Sequence, residues 1–140
     1  MQNPVRLPMP SANFESIGPG KLLAFIRGDL RAAKSSLSIV GPWIDDYFAS
    51  EVTRVARKEL VARVLTRPEH QTEPVVWARM SAALTAFRGH WSRFESRTLE
   101  TLHAKCLLID DRIVYCGSAN WYRFSLERGG EITFRGRSLV

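Results

Sequence analysis

Cysteine and histidine are scarce in this sequence: two of the first and three of the second in 140 residues. Two cysteines are too few for a disulfide framework, and Cys106 and Cys116 lack the spacing of a structural metal site. No apolar run reaches the roughly 18 residues that span a bilayer, and Met1 to Asn13 lacks the basic start and apolar block of a signal peptide. The default reading is therefore a cytoplasmic chain whose thiols stay reduced and carry no catalytic role. There are no internal repeats, so the chain holds one copy of whatever site it carries. Its length allows one domain with a real hydrophobic core, and no more than one.

What is present is the composition of a globular protein, 45% hydrophobic and 24% charged, with a net charge of +6. That excess of positive charge favours an anionic partner, either nucleic acid or an acidic membrane surface. Residues 1–12 carry three prolines and no periodic pattern, which reads as an N-terminal arm before a single domain over 13–140. Gly18-Pro19-Gly20 then introduces a helix whose Leu22, Leu23, Ile26, Leu30 and Ala33 recur at helical spacing. Leu37 to Pro42 alternates as a strand. Asp45 or Asp46 caps a second helix running to about Glu59, and Val61 to Thr66 is a further strand. Pro74 opens a third helix with a core stripe of Val76, Met80, Ala83, Leu84 and Phe87, ended by Gly89. Trp91 to Arg97 reads as a short strand near a sheet edge. Strands alternating with helices, then a hairpin, give an α/β fold with a mixed sheet covered by helices on both faces.

The chemistry is concentrated between His103 and Asn120. Leu102 to Ile109 reads as a strand, which places His103 and Lys105 on one face. Asp110-Asp111 is a turn signal, and Arg112 to Cys116 is a second strand, so the two form an antiparallel hairpin with Cys106 and Cys116 facing each other across it. Folding back carries Gly117, Ser118 and Asn120 to the start of the first strand. An imidazole, an ammonium, a hydroxyl and a carboxamide then meet at one end of a sheet. His70 and His90 stand in loop contexts and read as solvent or packing residues.

The string His103-x-Lys105-x(4)-Asp110-x(6)-Gly117-Ser118-x-Asn120 resembles the HKD signature of the phospholipase D superfamily at every specified position, and within it the small single-motif bacterial nucleases. The resemblance implies a phospholipase D-like domain, for which a closing helix common in the family would have to follow Val140. It implies His103, Lys105 and Asn120 as catalytic residues, with Glu131 as the carboxylate that supports the histidine. Ser118 fits a catalytic or a turn role equally well, and Asp110 a catalytic or a hydrogen-bonding anchor role.

Enzymes of this family use two HKD motifs per active site. One imidazole attacks phosphorus while neutral, and another, protonated, serves as general acid to the leaving oxygen. With one motif here, the resemblance implies a homodimer that pools two. Lysines and carboxamides stabilise the charge on the phosphoryl oxygens, so neither metal nor cofactor is called for. The expected activity is a phosphodiesterase, most readily a nuclease on DNA or RNA, with Arg93, Arg97, Arg123 and Arg128 as candidates for flanking phosphates and a membrane as the less favoured partner. A phospholipase D-type lipid phosphodiesterase or transphosphatidylase uses the same residues. A catalytically silent nucleic-acid-binding subunit is a third possibility, opposed by the intact motif. Trp43, Trp121 and Tyr122 suit base stacking or a lipid interface, although packing is the commoner fate.

Overall fold

The segments with the clearest period-two alternation become the middle of one mixed sheet. In the computed structural model of the chain, which describes residues 12–18, 20–127 and 130–138, the sheet order is β1-β7-β6-β5-β2-β3-β4. The strands are β1 (Ala12–Ile17), β2 (Ser36–Val40), β3 (Val61–Thr66), β4 (Phe94–Thr98), β5 (Cys106–Ile109), β6 (Ile113–Gly117) and β7 (Thr133–Ser138). β2, β3 and β4 run parallel, while β5, β6, β7 and β1 pair antiparallel outward from β2. The helices are α1 (Leu22–Ala32), α2 (Asp46–Val55), α3 (Pro74–His90) and the short α4 (Arg123–Glu127).

The core forms where helix stripes meet inward strand positions. Leu22, Leu23, Ile26 and Leu30 of α1, Phe48, Ala49 and Val52 of α2, and Ala83 and Phe87 of α3 pack on Leu37, Ile39, Ala62, Val64, Leu107, Ile109 and Tyr115. Burial of one such Leu or Phe contributes about 1.5–3 kcal/mol relative to leaving it in water. Along β2, β3 and β5 buried positions alternate with half-exposed or exposed ones. Ser38, Val40, Arg63, Leu65, Cys106 and Leu108 therefore point away from the buried core positions. Asp29 of α1 ties that helix to the far side of the sheet. Its carboxylate takes both Arg135 Nε (2.8 Å) and Nη2 (2.9 Å) from β7 and the hydroxyl of buried Tyr115 from β6.

Several boundaries differ from the sequence reading. Ala12, placed in the arm, begins strand β1, and residues 1–11 lie outside the described residues. β1 is an edge strand with Asn13 to Ser16 exposed and Ile17 buried, so those residues carry no apolar period. Helix α2 stops at Val55 rather than near Glu59, because Ala56 turns extended and the chain bends to bury Leu60. Trp91 is not in a strand: it closes α3, lies in the core, and donates its indole N–H to the carbonyl of Arg57 at 2.9 Å. His90 packs likewise, its ring 2.8 Å from the carbonyl of Ala56. Of the Gly18-Pro19-Gly20 signal, Pro19 lies outside the described residues.

Candidate active site

The carboxyl ends of the parallel strands β2, β3 and β4, the start of β5 and the end of β6 all lie at one edge of the sheet. Open α/β sheets bind ligands at this edge, where chain direction reverses. His103 and Lys105 stand there, but not in the strand as expected: β5 begins only at Cys106, and the run before it belongs to no strand or helix. The His103 side chain is exposed, and half-buried Lys105 turns its Nζ back to the carbonyl of His103 at 3.1 Å.

Neighbouring elements hold this run. Arg67, just past β3, donates Nε to the carbonyl of Leu102 at 2.6 Å, while its guanidinium lies 5.2 Å from the ring centre of Trp43. Gln71 accepts the N–H of Thr101 at 2.8 Å. Thr101 has φ +60°, a left-handed backbone that a β-branched residue adopts at a cost of about 1–3 kcal/mol. Arg67 and Gln71 escaped the sequence reading, in which Arg67-Pro68 was only a strand terminator. Nothing in their local sequence marks contacts made 35 and 30 residues away.

The other half of the motif is locked from two sides. The Ser118 N–H donates to the carbonyl of Ile132 (3.0 Å), and the Ile132 N–H donates back to Ser118 Oγ (3.0 Å). Gly117 makes this approach possible, because a Cβ there would stand 2.7 Å from Thr133 Cα. Ser118 thus uses its hydroxyl on backbone. On the other side, buried Trp121 donates its indole N–H to the carbonyl of Val40 (2.8 Å), and its own carbonyl accepts the Asp45 N–H (3.0 Å). Between these anchors lies Asn120, 7% exposed, whose carboxamide oxygen has no partner. An unpaired buried carbonyl costs about 1–3 kcal/mol, an expense typical of functional positions.

The remaining candidates divide. Glu131 is half-buried beside Ile132 at the same edge, but no hydrogen bond or ion pair joins it to His103 among the described residues. Asp110 lies at the opposite end of β5, about 17 Å from Lys105 at strand rise. Its carboxylate accepts the N–H groups of Lys34, Ser35 and Ser36 and the Ser35 hydroxyl, at 2.8–3.1 Å. Burial would raise the Asp110 carboxyl, yet these donors together hold it below its ordinary value. Arg93 is also at the far end, bonded to the carbonyl of Glu59. Arg97 is on edge strand β4, three strands from β5, in an ion pair with Glu95 at 2.6 Å. Arg123 pairs with Glu127 and lies over the Tyr47 ring. Arg128 falls outside the described residues.

A groove of about 1000 Å³ runs between the loop after β2, the start of α3 and α4, walled by Trp43, Val76, Tyr122 and Phe124 with Arg79 and Arg123. The motif residues do not line it. Trp43, Gln71 and Tyr122 link it to them, through Arg67, Thr101 and the chain next to Asn120. Of the three aromatics proposed for stacking, Trp121 belongs to the core, whereas Trp43 and Tyr122 are half-buried on the groove wall. Among the described residues no three His, Cys, Asp or Glu side chains are grouped to hold a metal, and no helix is long and apolar enough to cross a membrane.

Comparison with known proteins places this arrangement. No curated protein matches the chain. The fold is similar to NucT from Helicobacter pylori (14% identity, 91% of this chain and 86% of that one, TM-score 0.68). It is similar also to Nuc from Salmonella typhimurium, a phospholipase D family member (15% identity, 93% and 84%, TM-score 0.70). Phosphatidylserine synthase from Haemophilus influenzae shares it too (12% identity, 96% and 36%, TM-score 0.68). Residues 26–138 match the family model described as cardiolipin synthase, PLD-like domain, and the chain therefore belongs to the phospholipase D-like domain family, whose enzymes are phosphodiesterases.

Proposed function

We propose that the protein is a phosphodiesterase that cleaves nucleic acid, DNA or RNA, through a phosphohistidine formed on His103. The observation that carries this reading is that His103 and Lys105, just before β5, and Asn120, just after β6, stand at the same end of the paired β5 and β6, with Asn120 buried and its oxygen unpartnered. The neutral imidazole of one His103 attacks phosphorus. The leaving oxygen takes a proton from a second, protonated imidazole, which then accepts a proton from the water that hydrolyses the intermediate. One His103 cannot be neutral and protonated at once, so the second is His103 of another copy in a two-fold dimer. Lys105 and Asn120 from both copies carry the charge on the phosphoryl oxygens, so the reaction proceeds without a metal. Glu131, on the loop pinned by Ser118, would orient the imidazole once the site closes on substrate.

The choice of nucleic acid rests on the net charge of +6 and on the aromatic groove beside the motif. The lipid reading keeps support from the family description and from the neighbour named phosphatidylserine synthase. One assay separates them: the protein is incubated, with EDTA present, with labelled single- and double-stranded DNA, RNA and phosphatidylcholine vesicles. Cleavage of a polynucleotide supports the proposal. Release of headgroup with no polynucleotide cleavage replaces it with the lipid reading.

A further inference from the structure

Cys106 and Cys116 are direct partners in the β5–β6 pairing, one residue from Lys105 and Gly117 respectively. Whether two facing cysteines can join depends on which kind of antiparallel pair they form. Backbone hydrogen bonding alternates from side to side along a strand, and the end bonds fix the phase. The Asp110 N–H donates to Ser36 on the β2 side, so Leu108 and Cys106 also direct their backbone groups to β2. The Ser118 N–H donates to Ile132 on the β7 side, so Cys116 directs its groups to β7. Neither cysteine spends its backbone on the other. They form a non-hydrogen-bonded pair, the kind with Cα atoms about 4.5 Å apart and side chains close together. That separation falls within the roughly 4.4–6.8 Å span of disulfides.

Both thiols project from the face outside the core, Cys116 exposed and Cys106 half-buried, next to Val40 and Phe134. Access differs between them, which gives an order of reaction. We propose that Cys106 and Cys116 are a thiol–disulfide site that a low-molecular-weight disulfide such as oxidised glutathione converts to an intrachain bond, stapling the two strands that run between the halves of the HKD motif. The Cys116 thiolate attacks one sulfur of the oxidant, forming a mixed disulfide and expelling one glutathione thiolate. The Cys106 thiolate then attacks Sγ of Cys116 and expels the second. Two protein thiols are oxidised, one disulfide is reduced to two thiols, and the two protons pass to the departing glutathiones. Burial and the neighbouring Cys116 both push the Cys106 thiol up, which makes the second step faster at alkaline pH. The inference does not depend on the substrate or on turnover.

The test uses the full chain, incubated with oxidised glutathione and digested without reduction. The expected result is one linked peptide pair joining Cys106 to Cys116, a chain mass lower by two hydrogens, and no free thiol. Closing a loop of this size should raise Tm by about 4 °C or more, reversibly with dithiothreitol. Cys116→Ser should show no such shift under the same treatment. Glutathione left on both cysteines, a bond between two chains, or a lower Tm for the linked form would each overturn the proposal.

Discussion

Asp45 and Arg123 lie 78 residues apart in sequence, yet the Arg123 N–H donates to Asp45 Oδ2 at 2.9 Å while Asp45 Oδ1 accepts the Phe48 N–H at 2.8 Å. One buried carboxylate thus caps the starts of two helices and fastens the chain just after Asn120 to the exit of β2. Anionic caps at helix starts satisfy free N–H groups and complement the helix dipole.

Replacing that carboxylate should weaken the fold and the site together. Asp45→Ala is expected to cost about 2–3 kcal/mol, the sum of a lost cap and a second buried donor left unpaired. Asp45→Asn, which keeps one acceptor, should cost less. Urea unfolding of the two variants checks the order, and equal stability of all three proteins would refute it.

Asp110 makes a prediction about acid. Its carboxyl is held below the ordinary value in the fold, so it adds stability that is fully present above the unfolded value, near pH ~4. That contribution disappears as pH falls through the lower folded value. Asp110→Asn should therefore be less stable than wild type at neutral pH, with the gap closing below about pH 4. Melting curves from acid to neutral pH measure it, and a gap independent of pH would contradict the linkage.

These two aspartates also show what sequence can and cannot convey. Asp110-Asp111 was legible as a turn because both residues sit at positive φ, +55° and +53°, which aspartate tolerates. Val61 to Thr66, and the stripe of α1, were legible because burial imposes period two on strands and 3.6 on helices. β1 was not, since an exposed edge strand needs no apolar alternation. The motif singled out His103, Lys105 and Asn120 as candidates, but did not show that the first two precede β5 and do not lie in it. The supports of the site, Asp45, Arg67, Gln71 and Ile132, act through tertiary contacts that leave no local pattern. Amphipathic helices announced an apolar side without telling which face of the sheet it would cover.

Arg67 holds the Leu102 carbonyl, one residue from His103, and under the proposed mechanism it positions that histidine. Arg67→Ala should lower kcat about tenfold to a hundredfold, the scale of an ångström-sized misplacement, with the fold retained. KM should change little, because the guanidinium is committed to Trp43 and Leu102 and not to substrate. A rise in KM at constant kcat would show that it binds substrate instead.

Salt dependence sorts the remaining arginines. If the substrate is nucleic acid, log affinity should fall linearly with log salt, by about 0.7–0.9 per phosphate contacted. Arg93, at the far end of the sheet, should leave the slope unchanged when replaced by alanine. Arg123→Ala, on the groove wall, should make it shallower by roughly one unit. Filter binding of the His103→Ala protein across a salt series reads both. The reverse ranking would move the binding surface to the other end of the sheet.

The central claim is that His103 becomes covalently phosphorylated during turnover, and trapping the intermediate addresses it directly. Wild-type protein is mixed with the cleaved polynucleotide carrying labelled phosphate, quenched in base within one turnover, and mapped by peptide. The account predicts label, stable in base and lost in acid, on the peptide containing His103, and neither label nor cleavage with a folded His103→Ala protein. Cleavage within threefold of wild type by His103→Ala, or label on another residue, would contradict it.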